Sequence, residues 1–284
     1  MVTDNTVGPT GRPLPDFPEP GPRRPGHPAV IIAMCNQKGG VGKTTTTISL
    51  GAALAELGRR VLLVDFDPQG SLTVGLGIGA HDLDQSIYDA LMDRQVSVKD
   101  LIISTAVPRL DLVPANIDLS AAEMQLVTEV GREQTLARVL KQVQHDYDVI
   151  LVDCQPSLGL LTVNALTAAN GVIIPLECEY FALRGVALLK ETIERVQERT
   201  NDGLQIIGLL GTMFDSRTLH DKEVLATLVQ GWGDLVFHTV IRRTVKFSDA
   251  TVAGEPITEY ASGSPGAESY RQLAKEVLQR CPDA

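Results

Sequence analysis

Aromatic residues, paired cysteines and long apolar runs are all scarce in this chain of 284 residues. Phe, Tyr and Trp together make up 4% of it, so a hydrophobic core has to be mainly aliphatic. The four cysteines include no Cys-x-x-Cys pair, which argues against a zinc site or a redox motif. No apolar run is long enough to span a membrane, and the N-terminus lacks the apolar core of a secretory signal. We therefore expect a cytoplasmic protein with reduced thiols and no membrane partner.

Positive charge is also in short supply. The chain has 25 Lys and Arg against 35 Asp and Glu, which gives a formal net charge of −10. This balance argues against a protein that coats nucleic acid through its overall charge, so any nucleic-acid contact requires a local basic patch. The apolar fraction of 44% is enough for the core of one large α/β domain or two small ones.

Residues 1–29 differ from the rest of the chain in their proline content. Eight prolines lie between Pro9 and Pro28, and few apolar residues accompany them. This composition predicts a disordered tail. A proline-rich docking segment is the alternative, and Arg23 and Arg24 would add a weak attraction for anions.

From Val30 onward, short apolar strands alternate with longer helical segments. The strand candidates are rich in Val, Ile and Leu with little alternation, as strands buried on both faces are. They are residues 30–36, 61–66, 110–114, 148–153, 171–176, 205–213 and 235–241. The helix candidates are residues 43–57, 84–92, 118–128, 131–145, 159–169, 181–200, 219–230, 245–252 and 265–280. Repeated β-then-α units predict an α/β fold, with a mostly parallel sheet, helices on both faces and ligands at the carboxyl ends of the strands.

Residues 37–45, Gln-Lys-Gly-Gly-Val-Gly-Lys-Thr-Thr, join the first strand candidate to the first helix candidate. The three glycines allow backbone N–H groups to point inward, and the following helix directs its positive end at the same place. Lys43 is placed to reach the β- and γ-phosphates of a nucleotide, and the Thr44 hydroxyl to bind Mg²⁺. The turn thus predicts a phosphate loop, although Gln37 replaces a usual glycine and Lys38 is an addition. A chance glycine-rich turn is the alternative.

Two further strand candidates end in aspartate. Asp65 and Asp67 follow the second strand candidate, and Asp153 ends the fourth. Parallel strands bring such carboxylates to the edge of the sheet where the phosphate loop lies. Asp67 is placed to orient an attacking water, Asp65 to hold a Mg²⁺-bound water or the loop, and Asp153 to act as the Mg²⁺-side carboxylate. For residues 65–70 the alternative is an ordinary turn, because Asp-Pro and Gln-Gly are typical turn sequences.

The loop at 37–45 resembles the deviant phosphate loop, K-G-G-x-G-K-[ST], of the ParA/MinD group of P-loop ATPases. Further stretches resemble the ParA/Soj chromosome-partitioning branch of that group, so that the resemblance extends over about residues 30–280. These stretches are residues 64–70, 153–159, 179–185, 212–218 and 264–267. The resemblance implies one ParA-like P-loop ATPase domain at residues 30–284, which uses ATP and Mg²⁺ and produces ADP and phosphate.

The resemblance also implies roles for individual residues. Lys38 would cross an ATP-sandwich dimer to touch the partner subunit's phosphates, and Asp67 would position the hydrolytic water; with Lys43 they form the catalytic set. The implied nucleotide-binding residues are Lys38, Gly39, Gly40, Val41, Gly42, Lys43, Thr44, Thr45 and Met213, and those implied around Mg²⁺ are Thr44, Asp67 and Asp153. A lysine contributed in trans makes the homodimer depend on ATP, because the phosphates then bridge two chains.

Non-specific DNA binding is the second activity that the resemblance implies. The residues that match family DNA contacts are Arg217, Arg242, Arg243 and Lys246. Residues 236–247 contain three Arg or Lys and no acidic residue, in a chain that is acidic overall. A nucleoid-associated dimer would be released when a ParB-like partner stimulates hydrolysis. Ordinary surface charge is the alternative reading of the same residues.

The sequence departs from the family pattern in several places. Residues 241–244, Ile-Arg-Arg-Thr, replace a usual Ile-Pro-Arg-Asn, which puts the wall of the base pocket in doubt. Gln155 stands where proline is usual, and Arg184 stands where glutamate is usual. None of these positions belongs to the phosphate loop.

Three other functions are alternatives for a chain with this phosphate loop. A MinD-like positioning ATPase acts on a membrane or other cargo, but residues 268–284 lack the bulky apolar face of a membrane-binding helix. An electron-transfer ATPase like the nitrogenase iron protein needs two cluster-binding cysteines per subunit, and in the segment after Asp153 the sequence offers Cys154 alone. A regulatory scaffold would use the nucleotide only to dimerise, and phosphate release separates it from an ATPase.

Overall fold

The computed structural model describes residues 7–21, 26–80, 83–179, 182–281 and 283–284. Within these residues, seven strands form one sheet in the order β3-β4-β2-β5-β1-β6-β7. The strands are β1 (Val30–Met34), β2 (Val61–Phe66), β3 (Ile103–Ser104), β4 (Leu110–Val113), β5 (Val149–Cys154), β6 (Gly171–Glu177) and β7 (Gln205–Thr212). All neighbouring strands are parallel except β3, which pairs antiparallel with β4 at the edge.

The helices connect and cover these strands. They are α1 (Lys43–Glu56), α2 (Ser71–Gly75), α3 (Ile87–Met92), α4 (Leu119–Gln125), α5 (Thr135–Leu140), α6 (Leu160–Ala168), α7 (Ala182–Arg199), α8 (Leu219–Trp232), α9 (Lys246–Ala253), α10 (Ile257–Tyr260) and α11 (Pro265–Arg280). Short 3₁₀ turns lie at Val98–Leu101, Leu126–Thr128, Arg132–Gln134 and Gly233–Leu235. Of the helices in the described ranges, none is both long and apolar enough to cross a membrane.

Apart from the short edge strand β3, the strands are almost continuously apolar, and both of their faces are buried. On β1, Ile31 and Ala33 contribute to one core, while Ile32 and Met34 contribute to the other. Helices α3 to α8 supply the first core, and α1, α9, α10 and α11 supply the second. The predicted α/β fold, with a mostly parallel sheet and helices on both faces, is therefore confirmed. Aliphatic side chains fill both layers, as the scarcity of aromatic residues requires.

Several predicted boundaries need correction. Residues 235–241 are not a regular strand; they contact β7 through an isolated bridge between Val236 and Leu209 and through the bonds that Phe237 N and Ile241 N donate to Leu209 O and Gly211 O, both at 2.9 Å. The reason is that two backbone donors of this segment, His238 N and Thr239 N, bind the Glu276 carboxylate at 2.8 and 3.1 Å instead of a neighbouring strand. The predicted helix at 131–145 is broken into a 3₁₀ turn, the short α5 and further turns.

Part of the proline-rich tail contacts the domain. Arg12 donates to the carbonyls of Gly233 and Val236 at 3.1 and 2.6 Å, after the end of α8. Lys275 on α11 pairs with Glu19 at 2.5 Å. Residues 1–6 and 22–25, which include Arg23 and Arg24, lie outside the described residues. Disorder of the tail as a whole stays a prediction.

Candidate functional site

The loop between β1 and α1 is built from glycines that adopt conformations other residues avoid. Gly40 and Gly42 have φ angles of 75° and 83°, in the left-handed region. Asn36 fixes the start of the loop, because its side chain accepts from Lys38 N at 2.9 Å and donates to Pro175 O at 2.8 Å. Thr212 Oγ1 fixes the other end by donating to Val41 O at 2.9 Å. The loop is therefore held from β6 and β7 before any ligand binds.

Helix α1 begins with its backbone N–H groups open to a ligand. Its N-cap is Gly42, no side chain accepts a hydrogen bond there, and no acidic residue lies in the first turn. The unshared N–H groups and the helix dipole together favour an anion at this end. A Cβ atom built at Gly39 or Gly40 meets nothing within 4 Å, so open space remains above the loop. These features fit a nucleotide phosphate chain.

Lys43 lies beneath the loop and is nearly buried. Its side chain bends back so that Nζ donates to Lys38 O at 3.1 Å. Burial lowers the pKa of Lys43, while the carboxylate of Asp153 acts in the opposite direction. A bound polyphosphate would offer this ammonium group far stronger acceptors than one carbonyl.

Asp153 ends in direct contact with the first turn of α1. Thr44 Oγ1 donates to its Oδ2 at 2.7 Å, and Thr47 Oγ1 donates to its Oδ1 at 3.2 Å. The bond to Thr44 leaves the lone pairs of that hydroxyl free for a cation. A threonine hydroxyl backed by a carboxylate is a donor set that suits Mg²⁺ held together with phosphate oxygens. The residues present thus fit the ion that the sequence predicts.

Asp65 and Asp153 are neighbours on β2 and β5, and both are completely buried. Burial is the main reason that the pKa of Asp153 rises to about 7, and the charge of Asp65 is the next. Burial likewise raises the pKa of Asp65 to about 6. Such a pair of carboxyl groups is stabilised by a nearby cation.

Asp65, the penultimate residue of β2, and Asp67, just after that strand, have different surroundings. Asp65 accepts from Thr73 N at 2.8 Å and from Thr73 Oγ1 at 2.7 Å, so it anchors the loop that leads into α2. This geometry favours the loop-holding alternative for Asp65. Asp67 is half-buried and accepts from Gln69 N at 3.0 Å, which makes it part of a turn as well as a free carboxylate at the sheet edge. Its role in orienting water stays a prediction.

A cavity of about 270 Å³ opens beside Gly42 and Thr45. Met213 lines it with a left-handed φ of 53°, a strained conformation for a residue with a side chain. The wall is completed by residues of the stretch that differs from the family pattern, Arg242, Arg243 and Thr244, and by Phe247 and Tyr270. The changed Ile-Arg-Arg-Thr stretch therefore still encloses a pocket next to the phosphate loop, of a size that suits a nucleotide base.

Lys38 does not point at Lys43 or at Asp153. Its ammonium group contacts Glu177 Oε2, at the end of β6, at 3.0 Å and Glu179 Oε2, just beyond that strand, at 2.6 Å. The hydrogen bonds that Lys38 donates, first of all to Glu179 and also to Glu177, raise its pKa. The side chain keeps 40% of its exposure. The phosphate loop thus carries one inward lysine and one lysine on the surface.

The four predicted DNA-contacting residues are all exposed. Arg242, Arg243 and Lys246 lie within one segment at the rim of the cavity, whereas Arg217 follows β7 and α8 begins soon after it. Arg217 is bound by Asp215, with the shortest contact at 2.7 Å, and Arg243 by Glu177 at 2.9 Å. Two of the four cations are therefore already paired, and the DNA role of all four stays a prediction.

Sequence reasoning missed several residues that hold the site together. Asn36, Thr47 and Glu177 each contact a predicted site residue, but nothing in their local sequence marks them. The unusual Gln155 also has a structural partner, because its side chain donates to Glu123 Oε1 at 3.0 Å. That carboxylate also accepts from Leu161 N at 3.3 Å and so supports the start of α6.

Comparison with known proteins agrees with this geometry. A family model described as an AAA domain matches residues 29–206. An uncharacterised protein of Mycobacterium tuberculosis is 59% identical over 278 residues, which cover 98% of this chain and 87% of that protein. The sporulation initiation inhibitor protein Soj of Bacillus subtilis is 51% identical over 247 residues, 87% of this chain and 97% of that protein. The chromosome partitioning protein ParA of Caulobacter vibrioides is 44% identical over 256 residues, 89% and 96% of the two chains.

A solved structure supports the same assignment. The crystal structure of cobyrinic acid a,c-diamide synthase from Mycobacterium smegmatis with a bound ATP analogue and magnesium superimposes with a TM-score of 0.79 and 44% identity. It covers 89% of this chain and 95% of that one. Family model, sequence relatives and fold agree with the phosphate loop and its supporting carboxylates. The chain belongs to the ParA/Soj family of chromosome-partitioning P-loop ATPases and is an ATPase that uses ATP and Mg²⁺.

Proposed function

We propose that this ATPase is a DNA-segregation protein: ATP joins two subunits, the dimer binds DNA without sequence preference, and hydrolysis releases it. The observation that carries the proposal is the different placement of the two lysines of the phosphate loop. Lys43 is buried under its own phosphate loop, whereas Lys38 lies on the surface with its ammonium group turned away from that loop. An exposed lysine beside a phosphate site is suited to a second subunit's nucleotide, so that ATP becomes part of the interface.

Within one subunit, each residue has a distinct task. The backbone N–H groups at the start of α1 and the ammonium group of Lys43 would bind the phosphates. Thr44, held by Asp153, would bind Mg²⁺, which when present neutralises charge on the phosphate oxygens. Asp67 would orient the water that attacks the γ-phosphate and would accept its proton. Lys38 of the second subunit would stabilise the negative charge that develops during transfer.

DNA binding would use the basic segment at 242–246. This segment lines the nucleotide-side cavity, so two subunits joined through their nucleotides would present two such segments together. Doubling the number of phosphate contacts strengthens binding steeply and makes it sensitive to salt. This geometry would confine the dimer to the nucleoid within the cytoplasm, and a ParB-like protein would act on it there to accelerate hydrolysis.

The second candidate is a MinD-like ATPase that acts on a membrane. Such a role needs an amphipathic helix with a free apolar face. In this chain the apolar residues of α11, including Tyr270, Leu273 and Val277, are buried in the core. The DNA-segregation role is therefore the better supported of the two.

The test measures binding to a non-specific DNA duplex with ATP, with ADP and without nucleotide. We expect tight binding only with ATP, and loss of it in Arg243→Glu while ATP-dependent dimerisation persists. Arg138→Glu, on an exposed position of α5, is the matched control. Equal DNA binding in the three nucleotide states would overturn the proposal. Phosphate release without any added second substrate would distinguish an ATPase from a synthase such as the one named for the Mycobacterium smegmatis structure. Retention on anionic vesicles instead of DNA would favour the MinD-like role.

A further inference from the structure

Glu177, the last residue of β6, touches two functional cations at once. Its Oε2 accepts from Lys38 Nζ at 3.0 Å, and its Oε1 accepts from the Arg243 guanidinium at 2.9 Å. Lys38 belongs to the phosphate loop and Arg243 to the basic segment, which are separated by about 200 residues in sequence. One carboxylate therefore contacts both a lysine of the phosphate loop and an arginine that is predicted to bind DNA.

The position of Glu177 follows from the sheet. β6 is the neighbour of β1, so its carboxyl end emerges beside the loop that follows β1. The Glu177 side chain is 15% exposed, whereas Arg243 is 65% exposed. The glutamate is thus fixed by the fold, and the two cations reach it from the surface.

We propose that Glu177 is a shared counterion that restrains both Lys38 and Arg243 and thereby sets the thresholds for subunit association and for DNA binding. The proposal rests on the proposed function, in which Lys38 crosses to a second subunit and Arg243 binds DNA phosphate. Each of these steps requires the cation to leave Glu177. A free carboxylate beside a DNA phosphate also repels it, so Glu177 opposes DNA binding in every nucleotide state.

Glu179 provides an internal comparison. It contacts Lys38 at 2.6 Å, and the contact lowers the pKa of Glu179, but no hydrogen bond or ion pair joins it to Arg243 among the described residues. Neutralising Glu179 removes a direct contact with Lys38, and for Arg243 it removes only a longer-range attraction. Neutralising Glu177 weakens the restraint on both cations, because the amide has no negative charge and has one acceptor oxygen where the carboxylate has two.

Three measurements on the full chain compare Glu177→Gln and Glu179→Gln with wild type. They are the affinity for a non-specific duplex with and without ATP, the protein concentration at which ATP produces dimers, and the acetylation rate of Lys38 relative to the exposed Lys141 by mass spectrometry. We expect Glu177→Gln to bind DNA about 2- to 5-fold more tightly in both conditions, the range that an exposed ion pair allows. Both variants should dimerise at lower concentration and acetylate faster at Lys38.

The pattern of results decides the proposal. Adding Arg243→Gln to Glu177→Gln should cancel the gain in DNA affinity and leave the faster acetylation of Lys38. Equal DNA gains in Glu177→Gln and Glu179→Gln would show a general effect of charge and would overturn the shared-counterion role, as would an unchanged acetylation rate in Glu177→Gln. A wild-type protein whose DNA binding ignores ATP would instead refute the proposed function, while the acetylation rates would still decide whether Glu177 restrains Lys38.

Discussion

The hydroxyl of Thr44 donates to Asp153 Oδ2 over 2.7 Å, which ties the first turn of α1 to the end of β5. The contact orients the hydroxyl before a cation binds, and it places a buried carboxylate in the outer coordination shell of the predicted Mg²⁺. Partners of this kind contribute to metal binding without touching the metal, because they fix the direction and the basicity of the ligand.

Asp153→Asn should therefore weaken the use of Mg²⁺ more than it weakens nucleotide binding itself. We expect the concentration of Mg²⁺ that supports half-maximal ATP hydrolysis to rise by about 10- to 100-fold. A steady-state phosphate-release assay over a range of Mg²⁺ concentrations measures this change. Asp111→Asn is the control, because it lies on β4, which β2 separates from β5. An unchanged Mg²⁺ requirement would contradict the outer-shell position of Asp153.

Binding of Mg²⁺ and ATP should depend on pH near neutrality. The pKa of Asp153 is raised to about 7, chiefly by burial, so near pH 6 much of this carboxyl group is protonated. A cation favours the carboxylate, and affinity should therefore rise by up to about tenfold from pH 6 to pH 8 with release of a proton. Calorimetry in buffers of different ionisation enthalpy counts that proton. Asp153→Asn should abolish most of the dependence, and a flat profile in wild type would refute the prediction.

The same shifts have a consequence for the metal-free fold. The pKa values of Asp65 and Asp153 in the folded state, about 6 and about 7, lie above the ordinary value of 3.8. The folded state therefore binds more protons than the unfolded state in this range, and the free energy of unfolding should fall as the pH rises through 6 to 7. Denaturant titrations at several pH values without Mg²⁺ test this, and added Mg²⁺ with ATP should reduce the fall.

Much of this fold could be predicted because a parallel strand that is buried on both faces appears in the sequence as a short run of apolar residues. Residues 61–66 and 171–176 are aliphatic runs, and the glycine-rich loop at 37–45 stands in register between a strand and a helix. Residues 235–241 misled the same reasoning. Phe237 and Val240 are buried as in a strand, but the two backbone donors between them, on His238 and Thr239, bind Glu276 on α11, far along the chain. Local apolar pattern reports burial, and it does not report which partner the backbone finds.

The parts of the candidate site that could be predicted are those that a single short stretch of sequence identifies. The phosphate loop was visible as a motif, and Asp153 as a strand-ending carboxylate. Glu177 was not, because an acidic residue after a strand resembles ordinary surface charge. Its meaning depends on β6 lying beside β1, which places it within reach of Lys38 and Arg243.

Lys43→Ala should abolish nucleotide binding. Lys43 is 7% exposed, and it lies under the loop where a phosphate would accept its hydrogen bonds. Loss of a charge-assisted contact to phosphate should weaken ATP binding by about 100-fold or more, in the range of truncating one partner of a buried charge pair. Calorimetric titration with ATP measures this loss, and thermal unfolding without nucleotide checks that the variant folds. Lys141→Ala is the control, and retained affinity in Lys43→Ala would contradict the site.

Asp67→Ala should separate dimerisation from turnover. Asp67 is half-buried at the sheet edge, and its recorded bonds stay within its own turn, so its removal should leave the loop intact. We expect ATP-dependent dimers to persist while phosphate release falls by about 10²-fold or more, the size of a general-base contribution. Sedimentation with ATP and a phosphate-release assay on the same sample provide the two readouts. Normal steady-state hydrolysis would contradict a water-positioning role for Asp67.

Arg12→Ala should loosen the part of the tail that lies on the domain. The Arg12 guanidinium donates to two backbone carbonyls, at Gly233 and Val236, and its side chain is 17% exposed, so it holds residues around it by more than surface charge. Amide hydrogen exchange at Gly8 and Gly11 reports the state of this segment, because both amides donate within it, to Arg12 O at 2.9 Å and to Gly8 O at 3.0 Å. We expect exchange to become several-fold faster in Arg12→Ala and to stay at the wild-type rate in Arg94→Ala, an exposed arginine of another loop. If these amides exchange as fast in wild type as in Arg12→Ala, the contact does not hold the segment, and the disorder that the proline content predicts extends through residues 7–21.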